Sequence, residues 1–450
     1  MRRRLALLGP LPLIALLLAL PGHAGRHRCQ VEVSNQAQLV RAAGQRANEG
    51  KVVCALPGVY ANPVFQDFRH ATEVTLRSKA PRRAVLSGGA ALHNVRGLRL
   101  EGFRVSGTIA NDGQPMSDVE FVGNDIGGTD ATGLQFDCGM NDVLVERNRI
   151  HDIRFNGQWG SGYGMYVSGD CPKPGLKIRR NTFERTQADG MELGRITGFE
   201  IVGNVVREVH WNGPAAMDPH ADALMIWAGS GNGLVKNNRF TDGNGLLFSE
   251  LTDVRIENNL IAHIDDWCFQ GLDAVRNTYV GNTVYDCGSD YDGGGFGGGY
   301  GSTLDGDDAH GNLLERNLLT SLTTSANAVA SRNHNVIVHG DRGPGDLGLR
   351  PRFRDLIDYE PLNVPFRAGY HIAPAGAVSV CARLGGRLRS ACKLNREIAR
   401  KCDWIDSSEK RSKCRRRVRA LARCRAIKGS GREAKRHRAA CRRRARRIGK

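Results

Sequence analysis

The chain has 450 residues, 40% hydrophobic and 6% aromatic, with 12 cysteines and a formal net charge of +18. Beyond the N-terminal segment no stretch approaches the ~20 consecutive apolar residues of a membrane-spanning helix, and no CxxC or His-rich spacing points to zinc. The positive charge is not general. Residues 381–450 hold 27 Lys and Arg against 5 Asp and Glu, a surplus of 22 in a chain whose total is +18, so residues 1–380 sum to −4.

Residues 1–24 read as a secretory signal: Met1-Arg2-Arg3-Arg4, an apolar run from Leu5 to Pro21, and the small-x-small pattern Gly22-His23-Ala24. Cys29 follows Arg26-His27-Arg28, which does not suit lipid attachment. The expected product is secreted, extracellular or associated with a cell wall. Residues 25–70 read as an N-terminal cap and first coil. Ser34 to Ala47 predicts a short amphipathic helix, with Ser34 as N-cap and Leu39, Val40, Ala43 and Ala47 on its apolar face. A turn follows at Leu56-Pro57-Gly58-Val59-Tyr60.

From 71 to 340 the chain repeats. A phrase of alternating apolar residues with one asparagine recurs around Asn124, Asn148, Asn181, Asn204, Asn238, Asn259, Asn282 and Asn317, at intervals of 24, 33, 23, 34, 21, 23 and 35 residues. Such a period marks a solenoid, propeller or array. A second phrase precedes most asparagines: GLQF at Gly133, GMYV at Gly164, GMEL at Gly190, ALMI at Ala223 and GLLF at Gly245. Each repeat therefore predicts three short strands, one coil of a parallel β-helix. Stacked asparagines can hydrogen-bond along the pile, and Asn tolerates the left-handed backbone that a tight corner needs. Phe103 occupies the same slot one coil before the asparagines begin. A leucine-rich repeat would need a leucine framework and a helical half, and a propeller longer antiparallel units.

The capping helix, the strand and PGxY turn at Pro57, Gly58 and Tyr60, the segment VTLRSKAPRRAVLSG and the serial asparagine coils together resemble secreted right-handed parallel β-helix proteins of the pectin lyase-like kind. The resemblance covers roughly Cys29 to Ala377. It implies an all-β right-handed parallel β-helix of about ten coils, three strands each, with an N-terminal capping helix. It also implies a family containing polysaccharide lyases, glycoside hydrolases, epimerases and non-catalytic surface proteins. No subfamily's catalytic signature is present, so no catalytic residue follows from it.

Even numbers of cysteines in an exported chain favour disulfides. Aligned repeats place Cys138 and Cys171 after matching strands of neighbouring coils, which predicts that pair; Cys29 with Cys54 and Cys268 with Cys287 are the other pairs predicted in the body.

The intervals of 33, 34 and 35 residues carry insertions at 154–162, 211–221 and 288–311, each after a third strand and before the next first strand. All three must leave one corner of the solenoid, where repeat proteins often bind. The aromatics Trp159, Tyr163, Tyr166, Trp211, Trp227, Tyr291 and Tyr300, and Arg207, are candidate substrate-binding residues. Stacking on sugar rings over several coils suits a chain-like polysaccharide.

His210, Asp218, His220, Asp222, Asp189 and Glu192 are the candidate catalytic residues. Asp189 aligns one coil below Asp222, and Glu192 falls in an outward column with Gln135, Tyr166 and Met225. Paired carboxylates suit a hydrolase. A histidine taking a proton beside a uronic carboxylate, with a cation such as Arg195 or Arg207, suits a lyase or epimerase. Asp290, Asp292, Asp305, Asp307 and Asp308 in the Gly-rich insertion are hard ligands suited to calcium, though no cofactor is required. Asp152, Arg185, Glu208, Asp242, His263 and Asp286 form a column read as a surface charge ladder.

Residues 341–380 read as a closing segment and linker, and 381–450 as a basic, cysteine-stapled, helical tail with six further cysteines. The tail is expected to hold the protein on an anionic wall or matrix polymer. With Trp404 as its one aromatic and no reading motif, it is not expected to bind nucleic acid. The sequence thus predicts a monomeric, exported carbohydrate-active protein, a lyase ahead of a hydrolase on an extended, uronic-acid-type polymer. The alternative is a non-catalytic polysaccharide-binding surface protein.

Overall fold

A computed structural model describes residues 28–158, 160–210, 221–264, 268–287, 302–325, 327–340 and 346–347. The architecture is the predicted all-β, right-handed parallel β-helix, with about 11 turns against the ten expected. Strands of successive coils pair in parallel register to build three long sheets. The first sheet contains Leu134–Phe136, Met165–Val167, Met191–Gly194, Asp222–Trp227 and Phe269–Leu272. The second contains Met140–Glu146, Lys177–Arg179, Glu200–Val202 and Leu234–Lys236. The third contains Arg149–Ile153, Thr182–Thr186, Val205–Val209 and Leu260–Ile264.

Inward-pointing residues stack coil upon coil. Ile150, Phe183, Val206, Phe240 and Ile261 occupy one register column of the third sheet, and each is 1% exposed or less. Burying each such side chain contributes roughly 1.5–3 kcal/mol, which a single coil could not achieve alone.

The asparagines form a buried ladder at the corner between the second and third sheets. The Asn148 N–H donates to Oδ1 of Asn181 (2.8 Å), and Asn148 Nδ2 donates to the Phe121 carbonyl (2.7 Å). Equivalent bonds link Asn124 through to Asn335. The Phe103 N–H donates to Asn124 Oδ1, which starts the ladder where the sequence placed it, and Asp346 accepts from Asn335 at its end. The left-handed residue of this corner is not the asparagine, however, but the one before it: Arg147 (φ 56°), Arg180 (58°) and Asn237 (55°). The preceding residue makes the bend, which frees the asparagine to turn its amide inward to both neighbouring coils. A second, shorter ladder joins Val254, Asn277 and Asn312 and was not foreseen.

The capping helix spans Gln36–Gly44, and its N-cap is Asn35, not Ser34. Asn35 Oδ1 accepts from the Gln38 N–H (2.9 Å), while Gln38 Oε1 accepts from the N–H of Ser34 (2.9 Å), the residue before the cap. Leu39, Ala42 and Ala43 are buried and Val40 partly so; Ala47 is exposed, because the helix has already given way to the tight turn Arg46–Asn48. The disulfides Cys29–Cys54, Cys138–Cys171 and Cys268–Cys287 are all formed as predicted. The closing segment and the basic tail lie outside the described residues, apart from Asp346 and Leu347.

Candidate functional site

The corner from the third sheet to the first is where the chain departs from its period. In one coil without an insertion, the strand Arg239–Ser249 runs straight through it, pairing with the third sheet at Gly243 and the first at Asn244. The coils that carry insertions break here, after Ile153, Val209 and Cys287, so the three insertions leave the same corner. The glycines of the recurring phrase let successive corners pack closely. A Cβ on Gly164 would lie 2.5 Å from the Gly190 carbonyl oxygen, and one on Gly190 would lie 2.7 Å from that of Ala223.

At this corner three carboxyl groups gather. The Asp222 N–H donates to Asp189 Oδ1 at 2.9 Å, and both side chains are sealed from solvent, at 0% and 1% exposed. Burial, then the charge of Asp222, then that of Glu192 raise the Asp189 pKa well above the usual carboxylate range. Glu192 points outward from the first sheet and is half-buried. Burial pushes its pKa to about 7, although the Tyr163 hydroxyl and the Trp227 indole favour the ionised form. Tyr163 is itself buried and stacks on Tyr166 with ring centroids 4.9 Å apart. Its pKa is raised by burial, then by Glu192 and Asp189. Trp227 lies across Gly194 of the preceding coil, where a Cβ would fall 2.9 Å from its Cε2.

The outward column predicted for Glu192 is present. Register pairs Gln135, Tyr166, Glu192 and Met225 in sequence, and the column continues to Leu247 and Gln270 above and to Ala110 and Ala91 below. Glu192 is its one carboxylate. The other two faces are different in kind. On the second sheet Arg77, Arg99 and Glu101 interlock, as do Arg179 with Glu200 and Lys236 with Glu257. On the third, Glu184 is buried between Arg149, Arg185 and Arg207; burial would raise its pKa, but the hydrogen bonds and charges of these arginines bring it down to about 2.

Arg207 is therefore committed to Glu184 on the third sheet and is not brought to Glu192. Arg195 pairs with Asp170 (3.3 Å). His210 stands exposed at the end of the third sheet, its N–H donating to the Thr186 carbonyl (3.1 Å). The start of the charge column forms a surface ladder: Asp152 binds Arg185 (2.5 Å), which reaches Glu208 (3.7 Å), and all three have left-handed backbones. Asp305 accepts from the Gly306 N–H (2.8 Å), and the Asp308 N–H donates to Asp273 (3.2 Å); Asp307 is exposed. Among the described residues no group of three or more His, Cys, Asp or Glu side chains is placed to hold a metal ion, and no helix is long and apolar enough to cross a membrane. Trp159, Trp211, Asp218, His220, Asp290, Asp292, Tyr291 and Tyr300 lie outside the described residues.

Residues 175–342 match the family model for a right-handed β-helix region. No curated protein matches the chain. Among solved structures, the A-module of a mannuronan C-5 epimerase from Azotobacter vinelandii aligns with a TM-score of 0.45 and 16% identity, over 70% of this chain and 96% of that one. A pectate lyase aligns at 0.40 and 15%, over 69% and 75%, and an alginate lyase from Paenibacillus sp. at 0.37 and 16%, over 70% and 96%. At such identities the likeness is one of fold and assigns no activity.

Proposed function

We propose that the chain is an exported, carbohydrate-active enzyme that lays an extended glycan across the first sheet and cleaves it by acid–base chemistry at Glu192. The observation that carries this reading is the Glu192 carboxyl itself: outward-facing, set between Tyr166 and Met225 in a column otherwise free of carboxylates, with the Trp227 indole beside it, and balanced between its two protonation states near pH 7. An acid or base is most effective when its pKa lies near the working pH. Asp189 and Asp222 are positioning residues in this reading. Their burial keeps them from the substrate, while the carboxyl of Asp189 fixes the corner that leads into the strand bearing Glu192. Tyr166 and Trp227 supply ring faces for sugars. Export is supported by the three disulfides and by the N-terminal sequence pattern, and retention on an anionic matrix by the charge of residues 381–450.

The burial of Asp189 and Asp222 favours a second reading, a glycan-binding protein without catalysis. One assay decides between them: polysaccharides incubated with the wild type and with Glu192→Gln, monitored for reducing ends and for the ultraviolet absorbance of unsaturated ends. Acid–base catalysis predicts products with the wild type and a loss of about 10²-fold or more in the variant. Retained binding with no product from any polymer would establish the second reading.

A further inference from the structure

We infer that the glycan taken by this site is uncharged, so that its cleavage is hydrolysis and not elimination; this rests on the acid–base reading of Glu192. The argument is electrostatic. A uronic polymer brings one carboxylate per residue, and positive groups along its path would stabilise it. Along the outward column of the first sheet, Gln135, Tyr166, Met225, Leu247 and Gln270 flank Glu192, and none carries a positive charge. By sequence, the insertions 154–162, 211–221 and 288–311 contain one Arg, two His and no Lys, against Asp218, Asp290, Asp292, Asp305, Asp307 and Asp308.

Among the described residues, the cations beside this face have partners. Arg154 pairs with Asp130 (2.5 Å) and Arg195 with Asp170 (3.3 Å). Lys173 is wholly buried, with its Nζ donating to the carbonyls of Gly169 (2.8 Å) and Cys171 (2.9 Å). Beneath the column lie the buried Asp189 and Asp222, which offer an anionic chain no positive charge either. Arginines are plentiful elsewhere in the solenoid, but on the second and third sheets, interlocked with Glu and Asp. Among the described residues, the deficit of positive charge is therefore particular to this face.

The reaction class follows. Elimination requires a C5 proton acidified by an adjacent carboxylate, which a neutral sugar lacks. In hydrolysis the Glu192 carboxyl gives its proton to the glycosidic oxygen, the C1–O bond breaks with its electron pair going to that oxygen, and water bonds to C1. The proton released by the water restores the Glu192 carboxyl.

The test uses the full chain in about 0.5 M NaCl, which screens attraction of anionic polymers to the basic tail. The panel comprises neutral polymers (a mixed-linkage β-glucan, a xyloglucan and a galactomannan), polygalacturonate, alginate and chitosan. Expected are new reducing ends from at least one neutral polymer, without ultraviolet-absorbing ends, and a rate at least about 100-fold lower for Glu192→Gln. Cleavage of polygalacturonate, alginate or chitosan in preference to every neutral polymer overturns the uncharged-substrate inference while leaving Glu192 as the acid. Absence of product from all of them, or an unchanged rate in a Glu192→Gln protein that melts like the wild type, overturns the reading on which it rests. Glu192→Asp, which keeps the carboxyl, serves where the glutamine variant does not fold and must retain more activity than Glu192→Ala.

Discussion

The backbone N–H of Asp222 donates to the carboxyl of Asp189 across one coil, at 2.9 Å, with both side chains sealed from water. An oxygen acceptor is what this contact needs; the charge is not. Asp189→Asn keeps an oxygen in place, whereas Asp189→Ala strands a buried N–H and opens a small void. The asparagine variant should therefore unfold within about 1 kcal/mol of the wild type, and the alanine variant should lose roughly 1–3 kcal/mol. Denaturant titrations of the two variants measure this. Equal losses would mean that the carboxylate charge, and not the acceptor, holds the corner.

Glu192 sets a pH dependence whose sign is fixed. Its folded pKa of about 7 lies above the ordinary glutamate value of 4.5, so the folded state holds the proton more tightly than the unfolded one. The stability that this provides is complete below about pH 4.5 and is lost as the pH rises through 7. Glu192→Gln stays neutral throughout. Its Tm relative to the wild type should climb across that interval and level off above it, by roughly 2 °C or more. A difference that is flat between pH 4.5 and 8 would show that Glu192 titrates like an exposed glutamate. The same proton governs activity, which should decline above pH 7 as the acid form is depleted.

Periodic features were legible in the sequence, and features that depend on a single contact were not. The asparagine ladder, the Cys138–Cys171 disulfide and the column Gln135, Tyr166, Glu192 and Met225 all follow from aligning repeats, because in a solenoid sequence alignment and spatial stacking are the same operation. The departures are local. Asn35, not Ser34, caps the first helix, since both residue types are good caps and only the chain's entry angle selects between them. Arg147 takes the left-handed conformation where Asn148 was expected to, because polar pairs at a corner divide bending and bonding in a way that composition does not reveal. Asp189 and Asp222 are candidate catalysts by sequence, but alternation along a strand fails at a corner, and both are buried. Arg207, a candidate substrate-binding cation by sequence, lies on the third sheet, where Glu184 claims it.

That division of labour between Arg147 and Asn148 is testable by substitution. Asn148 Oδ1 accepts from the Asn124 N–H (2.8 Å), and its Nδ2 donates to the Phe121 carbonyl (2.7 Å). Asn148→Ala leaves both of these buried partners unmet and should cost at least about 2 kcal/mol. Arg147→Gly should fall within about 1 kcal/mol of the wild type or stabilise it, because glycine adopts φ 56° freely and the Arg147 side chain is mostly exposed. Thermal melts of the two proteins check the order. A severe Arg147→Gly beside a mild Asn148→Ala would return the bend to the asparagine.

Gly194 and Trp227 provide the sharpest probe of the glycan face. They are register partners, and a Cβ on Gly194 would sit 2.9 Å from the indole Cε2 and 3.0 Å from its Cζ2, closer than real contacts permit. The backbone of Gly194 is not left-handed, so alanine there strains nothing but this contact. Gly194→Ala should therefore act through the indole alone: a loss of roughly 1–3 kcal/mol from overpacking, with Trp227 pushed off its seat beside Glu192. A double-mutant cycle isolates the effect. In a Trp227→Ala background the cost of Gly194→Ala should fall below about 0.5 kcal/mol, because the clashing partner is gone. Activity divides the same way, with Gly194→Ala weakening glycan cleavage in the wild type and adding little to the loss already caused by Trp227→Ala. If alanine at 194 costs the same with and without the indole, Trp227 does not rest on Gly194 in solution, and its assignment to the sugar-binding face fails with it.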